Sequence, residues 1–577
     1  MHRLIICILS LIAFLVPLAY TPGWFPYAGE DQYLIKLYIA EILVLFACAA
    51  LIISFIKKGE ILVRWAISTP VLFFLLFCFV SVFASADRMT AAEHCFRQCC
   101  YVALFLIAAH RASGDADGGG ITRWLLCSVI LVALFGMWQF ARGGEVYATI
   151  GNRNFLGSIV ILVLPLAVAH CWNALRRRSV GGTVGWVFVA ALFSFVLLLT
   201  KSRGAIGSLI LSAFFFGEIY LFLKGKRLAA LICLLVFFIL SACAVMSPPA
   251  VTELAGDVRL YLWQGALSMI AEHPVAGWGL GTFFIHFPAY RPADYFLLQK
   301  AADVTYHPHN EILSVCAACG IAGAAAFLLV IIGCGSLFCI RWKKEGKINP
   351  LRGALFVGVI AVFGQSLVDM NLAIPSVAVL WWLSMGIVAS GFDAAGCRYC
   401  MHNKVIRLGC GGVAVCVLLS AGWLFAYCPA VAQVYFGRGS RERMNHRWEE
   451  AILCYRKGLL YSPRACEMLY KLAFAYDQQG MTQSAIDTYS ALKATAPYFG
   501  RVDFNLAVLY DKNGNLPAAR DSLKSWLTLN PHDANARLFL TDIYRRSGDT
   551  VAVSRDMQSP LEHPGGMPVS GKDVPLE

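Results

Sequence analysis

Long apolar stretches recur along most of this 577-residue chain, from Leu4 to Tyr427. Each runs for about 17 to 25 residues, the length at which a helix crosses a roughly 30 Å hydrocarbon layer and satisfies its own backbone there. Hydrophobic residues form 59% of the chain and charged residues only 14%, which excludes an ordinary soluble protein. The pattern therefore predicts an all-α polytopic membrane protein.

We predict twelve to thirteen transmembrane helices within residues 1–427. Their approximate bounds are 4–20, 33–56, 67–86, 95–110, 123–141, 155–173, 184–200, 205–223, 228–246, 311–340, 352–369, 375–391 and 406–427. The first stretch has the composition of a signal peptide. We interpret it as an uncleaved span because "PLAYTPGW" offers no clean small-residue cleavage site.

Orientation follows from lysine and arginine, which gather in the cytoplasmic loops of membrane proteins. Clusters lie at residues 57–58, 176–178, 224–227, 341–344 and 398–407. Alternating spans with a cytoplasmic amino terminus place all these clusters on the cytoplasmic side of a bacterial inner membrane. The same topology assigns to the periplasm residues 87–94, 142–154 and 201–204, a large loop at 247–310, and everything after Tyr427. The net charge of +13 is then a topology signal, and no nucleic-acid partner is expected.

The chain has 21 cysteines, most of them single residues within apolar spans, where cysteine behaves as a small hydrophobe. Cys316 and Cys319 in "CAAC" have the spacing of metal ligands, but they lie inside a span and are interpreted as packing residues. Cys454 and Cys466 lie in the outer soluble part, where a disulfide is chemically allowed. The sequence does not indicate whether these two are close in space.

A 34-residue period follows the last predicted span. It is carried by Pro463, Pro497 and Pro531, by Gly480, Gly514 and Gly548, and by Tyr476, Tyr510 and Tyr544. Glycine turns and closing prolines at this period are typical of tetratricopeptide repeats. Residues 441–550 are therefore predicted to form a periplasmic α-solenoid, and residues 551–577 a flexible tail. The solenoid is either a stabilising lid or a docking surface for a protein partner or a long acceptor, and we favour docking.

Three polar residues on the predicted outer face are candidates for chemistry: Arg203, Arg259 and His309. Arginine binds phosphate oxygens in a bidentate manner, and histidine can accept a proton from an attacking hydroxyl near neutral pH. This set of residues is what transfer from a polyprenyl diphosphate requires. The alternative is structural, since arginines at span ends reach lipid phosphates and single histidines make structural hydrogen bonds.

A metal bound by His307 and His309 would require a third ligand. His273, His286 and Asp303 lie in the same loop, but none has a suitable spacing. We therefore expect neither a metal nor a cofactor.

Four motifs, in chain order, resemble those of the O-antigen ligase and polymerase superfamily. They are "ATIGNRNFLGSIVILVLPLA" (148–167), "TKSRGAIGSLI" (200–210), "RLYLWQGALSMIAEHPVAGWGLGTF" (259–283) and "HPHNEILSVCAACGIAGAAAFL" (307–328). The resemblance covers about residues 30 to 395, with "GWGLGTF" followed by "HNEIL" and "GIAG" as its most diagnostic part.

The resemblance implies a metal-independent, inverting glycosyltransferase with a GT-C-like membrane fold. It implies that Arg203 and Arg259 bind the diphosphate of an undecaprenyl diphosphate-linked glycan, and that His309 is the base. Pro308 would then hold the backbone of His309 extended before the helix begins. We expect further donor contacts from a neighbouring set: Arg153, where the family usually has proline, Asn154, His307 and Asn310.

In ligases of this superfamily the acceptor is the lipid A core, and this is the function we favour. A surface polysaccharide polymerase and a protein O-oligosaccharyltransferase are the alternatives within the class. A lipid-linked glycan flippase belongs to another class, and it would show internal repeats among the spans and charges along a central path. A third alternative is a structural scaffold that carries the repeats, in which Arg203, Arg259 and His309 would have no function.

Overall fold

The computed structural model describes residues 1–20, 31–112, 115–245, 257–297, 304–346, 348–390 and 397–549. The predicted tail at 551–577, Asp303 and much of the large loop lie outside these ranges. The helices before the large loop are α1 His2–Leu18, α2 Asp31–Lys58, α3 Trp65–Ala84, α4 Arg88–Arg111, α5 Asp115–Ala141, α6 Arg153–Arg176, α7 Val180–Thr200, α8 Arg203–Leu223 and α9 Arg227–Val245.

The later helices are α10 Val258–Glu272, α11 Phe283–Tyr290, α12 Glu311–Glu345, α13 Pro350–Ser366, α14 Pro375–Ala389, α15 Lys404–Gly422, α16 Cys428–Met444, α17 Trp448–Leu459, α18 Cys466–Gln478, α19 Thr482–Thr495, α20 Val502–Lys512, α21 Leu516–Leu529 and α22 Ala534–Arg546. Short 3₁₀ turns lie at Ala293–Leu297 and Asn371–Ala373. All of the predicted spans coincide with helices in this list.

Within the described ranges, eight helices are long and apolar enough to cross a membrane. They are Leu34–Lys58 of α2, α3, Gly119–Ala141 of α5, α6, α7, α8, α12, and the continuous segment Lys404–Met444. Shorter apolar helices are α1, α13, α14 and residues Arg227–Val236 of α9. The first half of α4 carries charged residues. The chain is thus a multi-pass, all-α membrane protein, as the sequence predicts at that level.

The core of the membrane domain is built around α14, in which every residue from Pro375 to Ala389 is buried. Its Trp382 lies between Phe105 of α4 and Phe327 of α12, with ring centroids 6.0 and 6.3 Å away. Indole Nε1 of Trp381 donates a hydrogen bond to the Val359 carbonyl at 2.9 Å. These contacts fix α4, α12 and α13 around one helix, and the outer helices α7 and α8 carry exposed apolar side chains suited to lipid.

The basic segments after α2, at the end of α12 and after α14 meet on one face of the domain, which we call the basic face. Ser390, after α14, joins three helix ends there: its carbonyl accepts hydrogen bonds from Arg341 at 2.9 Å and Arg352 at 2.8 Å, and its hydroxyl donates to the Ala112 carbonyl at 2.8 Å. Two short strands, β1 Glu60–Val63 and β2 Cys397–Cys400, pair antiparallel. This small sheet was not predicted from the sequence.

Helix α12 is interrupted at Gly320, whose φ of +74° and ψ of 175° are not helical. The break leaves two carbonyls without their usual helical partners, and the loop after α10 supplies donors to both: Trp278 N lies 2.8 Å from Ala317 O and Gly279 N lies 3.0 Å from Ala318 O. In return, Ile321 N donates to Pro274 O at 2.8 Å. The predicted span 311–340 is therefore two helical segments tied to the loop.

Helix α15 passes through a π-helical turn at Trp423–Tyr427 directly into α16, so the membrane domain and the carboxyl-terminal helices share a continuous rod. From α16 to α22 each helix packs on the next in chain order. We call residues 428–546 the helical array. Cys454 and Cys466 are both free thiols in it.

The 34-residue period has a local structural counterpart in the array. Gly480, Gly514 and Gly548 all have left-handed φ, at +74°, +74° and +78°. The residue after each of the first two glycines makes the same helix-ending hydrogen bond: Met481 N donates to Tyr476 O at 2.9 Å, and Asn515 N donates to Tyr510 O at 2.8 Å. The assignment to the tetratricopeptide class stays a prediction.

Candidate functional site

His309 lies directly before α12, and its imidazole faces the segment that follows α13. Its Nδ1 is 3.3 Å from Oδ1 of Asp369, whose side chain is 8% exposed. Since an aspartate oxygen accepts a hydrogen bond from Nδ1–H, this geometry favours the tautomer with Nε2 unprotonated and able to accept a proton.

The backbone of His309 has a φ of +54°. The expectation that Pro308 holds it extended is wrong, because proline restricts the residue before it and not the residue after it. A left-handed conformation is uncommon for a residue with a side chain, and the surrounding contacts must hold it. Asn310 is one such contact: its Oδ1 accepts from Leu313 N at 3.1 Å and its Nδ2 donates to Leu367 O at 2.9 Å.

Asp369 also binds the start of α6. Its Oδ2 accepts a hydrogen bond from Nδ2 of Asn154 at 3.0 Å. The buried Gln365 strengthens the same junction, because it accepts from Ser158 Oγ at 3.0 Å and donates to Asn154 O at 3.3 Å. Asp369 thus connects α6, α12 and the end of α13. Arg153, the first residue of α6, is exposed at this junction.

Arg203 begins α8 after a two-residue turn. Lys201 ends α7 with a φ of +53°, and the hydroxyl of Ser202 caps α8 by accepting from Ala205 N at 3.4 Å. A Cβ on the neighbouring Gly204 would lie 3.6 Å from Val368 and 3.7 Å from Gln365. The exposed Arg203 is therefore carried on a helix start that lies beside the segment leading to Asp369.

Arg259 lies in the first turn of α10. Its side chain is 36% exposed, and Nη1 is 3.8 Å from Oδ2 of Asp257, which also caps the helix. Helix α10 packs on the first turns of α12, with Leu262 and Met269 in one cluster with Ala317. The packing of α10 on α12 relates Arg259 to His309.

His307 lines a cavity of about 110 Å³ whose lining does not include His309. Arg97, Tyr101 and Glu311 line the same cavity. Burial, then the nearby His309 and Arg97, lowers the pKa of His307 to about 4, so its imidazole is neutral at pH 7. His309 thus contacts Asp369 while His307 lines the cavity, and in the described part of the chain no cluster of three metal-ligating side chains joins them.

The glycines of "GWGLG" allow three close approaches around that cavity. Gly277, Gly279 and Gly281 have φ of +67°, +107° and +71°. A Cβ at these positions would collide with Ala318, Ser85 and His94 respectively. Glycine is required at all three because both the backbone conformation and the space exclude a side chain.

Asp369 and Gln365 were missed by the sequence reasoning, which took residues 352–369 as one span. A signal was present, because Asp369 is the only acidic residue between Glu345 and Asp393. An acidic residue at the edge of an apolar stretch is costly unless it has a partner, and this makes Asp369 a candidate partner for the histidine.

The fold and the site define a polytopic membrane protein with arginine-bearing helix starts and an imidazole–carboxylate pair at one face, which we call the site face. Residues 188–328 match the family model described as "O-Antigen ligase". Arg203, Arg259 and His309 all lie within that segment, whereas Asn154 and Asp369 lie outside it.

Over 137 residues, the chain is also 26% identical to "Putative polysaccharide ligase RC0486" of Rickettsia conorii. The match covers 24% of this chain and 31% of the length of that relative. Both comparisons support the resemblance to the ligase superfamily.

Proposed function

We propose that the protein is an inverting glycosyltransferase of the O-antigen ligase type, which moves a glycan from undecaprenyl diphosphate to a hydroxyl of the lipid A core. The observation that carries the proposal is the contact of His309 Nδ1 with Asp369 at 3.3 Å, beside the helix start that bears Arg203. In this proposal His309 is an oriented base near the helix start that carries the permanent cation Arg203, and both residues lie inside the segment similar to O-antigen ligases.

In the proposed reaction, Arg203 and Arg259 bind the diphosphate of the donor. The acceptor hydroxyl attacks the anomeric carbon from the face opposite the diphosphate, and Nε2 of His309 takes its proton. One C–O bond forms as the bond to the diphosphate breaks, which inverts the linkage. The fixed guanidinium charges stabilise the negative charge that develops on the leaving oxygen, and no metal is needed for this step.

Asp369 has two roles in this proposal. It holds His309 in the tautomer that accepts a proton, and it stabilises the imidazolium that forms. The neighbouring Asn154, Asn310, Arg153 and His307 are proposed to contact or position the donor. The site face and the helical array are proposed to lie in the periplasm, with the basic face in the cytoplasm, because lysine and arginine gather in cytoplasmic loops.

The experiment is transfer by the purified protein in nanodiscs, with undecaprenyl diphosphate-linked glycan as donor. Three acceptors are compared: lipopolysaccharide core, the lipid-linked glycan itself, and a periplasmic protein extract. His309→Ala is compared with wild type, and His402→Ala, an exposed histidine near the basic face, is the matched control.

Glycan-modified core made by wild type and His402→Ala, but not by His309→Ala, is the expected result. Longer chains on the lipid carrier would instead assign a polymerase, and a modified protein would assign a protein O-oligosaccharyltransferase. Movement of the lipid-linked glycan across the bilayer without transfer would indicate a flippase. Unchanged transfer in His309→Ala would reject His309 as the base.

A further inference from the structure

The helical array contacts the site face through three successive loops. These loops join the paired helices at residues 460–465, 496–501 and 530–533, the places where the 34-residue proline period falls. Arg464 Nη1 lies 3.2 Å from Asp87, the residue that caps α4. Arg291 donates a hydrogen bond to Asn530 at 2.8 Å, and His532 lies 3.3 Å from Asp294. One edge of the array is thus bound to the membrane domain.

The middle loop makes an apolar contact, which we call the seam. Phe499 of the array lies edge-on to Phe284 of α11, with ring centroids 5.8 Å apart. Ile285 is 1% exposed and belongs to the same core cluster as Tyr470 and Phe499. A side chain of the large loop therefore completes the core of the array.

The seam continues to the residues that precede His309. Val304 packs on the same cluster, and a Cβ on Gly500 would lie 3.7 Å from it. The ring of Phe284 contacts Tyr306 at a centroid distance of 5.1 Å. Residues 304–306 are therefore held between the array and α11, three residues before His309.

His309 needs such support because its φ of +54° is intrinsically unfavourable. On its carboxyl-terminal side Asn310 is anchored to Leu367 at 2.9 Å. On its amino-terminal side the seam is the corresponding anchor. The two anchors together restrict the direction of the imidazole toward Asp369, because a segment fixed at one end can rotate about its backbone bonds.

We propose that the helical array is a positioning element of the site, which holds residues 304–309 through the seam so that His309 faces Asp369. The effect of this positioning on the rate of glycan transfer rests on the proposed function. It also means that the edge bearing Arg464, Phe499 and His532 is occupied by the chain itself. A protein partner or a long acceptor would then bind the other surfaces of the array.

The first test is amide hydrogen exchange of the full-length protein in nanodiscs. Phe499→Ala opens the seam, and Phe499→Leu restores most of its apolar volume. Phe539→Ala is the matched control, because Phe539 packs within the array on Phe504 and not on the loop. Val304→Ala opens the seam from the side of the large loop, and it replaces Phe499→Ala in the experiment if that variant does not accumulate.

We expect exchange of residues 304–310 to become about tenfold faster or more in Phe499→Ala, and to change little in Phe499→Leu and Phe539→Ala. The kcat for transfer should fall about 10- to 100-fold in Phe499→Ala with little change in KM for the donor, since a misplaced base slows chemistry more than binding. Unchanged exchange at 304–310 in Phe499→Ala, or an equal rise in Phe539→Ala, would overturn the proposal. If wild type transfers no glycan to any acceptor, the proposed function fails, while the exchange experiment still decides the role of the seam.

Discussion

Asp369 Oδ1 lies 3.3 Å from Nδ1 of His309, although 60 residues separate the two in the chain. The second oxygen of the same carboxylate binds Asn154, 215 residues away, at 3.0 Å. One buried carboxylate therefore brings together the start of α6, the segment before α12 and the end of α13. Both of its oxygens accept hydrogen bonds, which fixes the orientation of the imidazole relative to the carboxylate.

Asp369→Asn tests this relationship. An amide cannot stabilise the imidazolium and can present its NH₂ to Nδ1, which favours the tautomer whose Nε2 carries a proton. We expect kcat for glycan transfer to fall about 100-fold or more with the protein still folded, as judged by size-exclusion profile. Asp487→Asn, a change on the surface of the array, is the control. Wild-type kcat in Asp369→Asn would show that the pair is structural only.

Gly320→Ala tests the break in α12. The added Cβ would collide with the Val275 carbonyl, and φ at this position is +74°. The strained conformation alone should cost about 1–3 kcal/mol, before the steric cost is counted. We expect a clear drop in the SDS concentration at which the protein unfolds in mixed micelles.

Gly335→Ala is the matched control in the same helix. Its new Cβ would lie 3.8 Å from the nearest atom, on the ring of Phe356, so it fits. Its unfolding free energy should change by no more than about 1 kcal/mol. Equal effects of the two alanines would contradict the explanation given for the break.

The spans and the array period could be predicted because their signals are local and repeated. Each span is a run of apolar residues, and each glycine at the 34-residue spacing ends a helix by itself. The pairing of Asp369 with His309 depends on how α13 packs against α6 and α12, which no local pattern encodes. The same holds for the seam, because Phe284 and Phe499 read as ordinary apolar residues until the array is placed beside the large loop.

The conformation of His309 shows a further limit of sequence reasoning. Proline at 308 restricts the backbone conformation of His307 and not that of His309. His309 has a positive φ, and the contacts on either side of it, Asn310 with Leu367 and Tyr306 with Phe284, are made to residues distant in sequence. Arg259 is a simpler case, because the structure places it in the first turn of α10 with Asp257 as its neighbour.

His307→Asn tests the effect of pH. Burial lowers the pKa of His307 from 6.5 to about 4 in the folded protein, so the unfolded chain binds the proton more readily between these values. Stability from this group is present above pH 6.5 and is lost as the pH falls toward 4. The decrease in apparent melting temperature between pH 7.5 and pH 5 should therefore be smaller in His307→Asn than in wild type.

Part of the decrease should remain in His307→Asn, because burial also lowers the pKa of His286 to about 4. An unchanged decrease would mean that His307 does not contribute.

Asn505→Ala tests the stability of the array. Asn505 is 1% exposed, and its Nδ2 donates to the hydroxyls of Tyr470 at 2.9 Å and Tyr489 at 3.1 Å. Alanine leaves both buried hydroxyls without this donor and should lower the unfolding free energy of the array by about 1–3 kcal/mol. The exposed Asn513→Ala, in the same region, should change it by less than about 0.5 kcal/mol.

Limited proteolysis of the full-length protein measures the difference: cleavage within residues 448–546 should be several-fold faster in Asn505→Ala than in Asn513→Ala. Because Tyr470 also belongs to the core that receives Ile285, exchange at residues 304–310 should rise in parallel with that cleavage. Faster cleavage with unchanged exchange would show that the array loosens without releasing the loop.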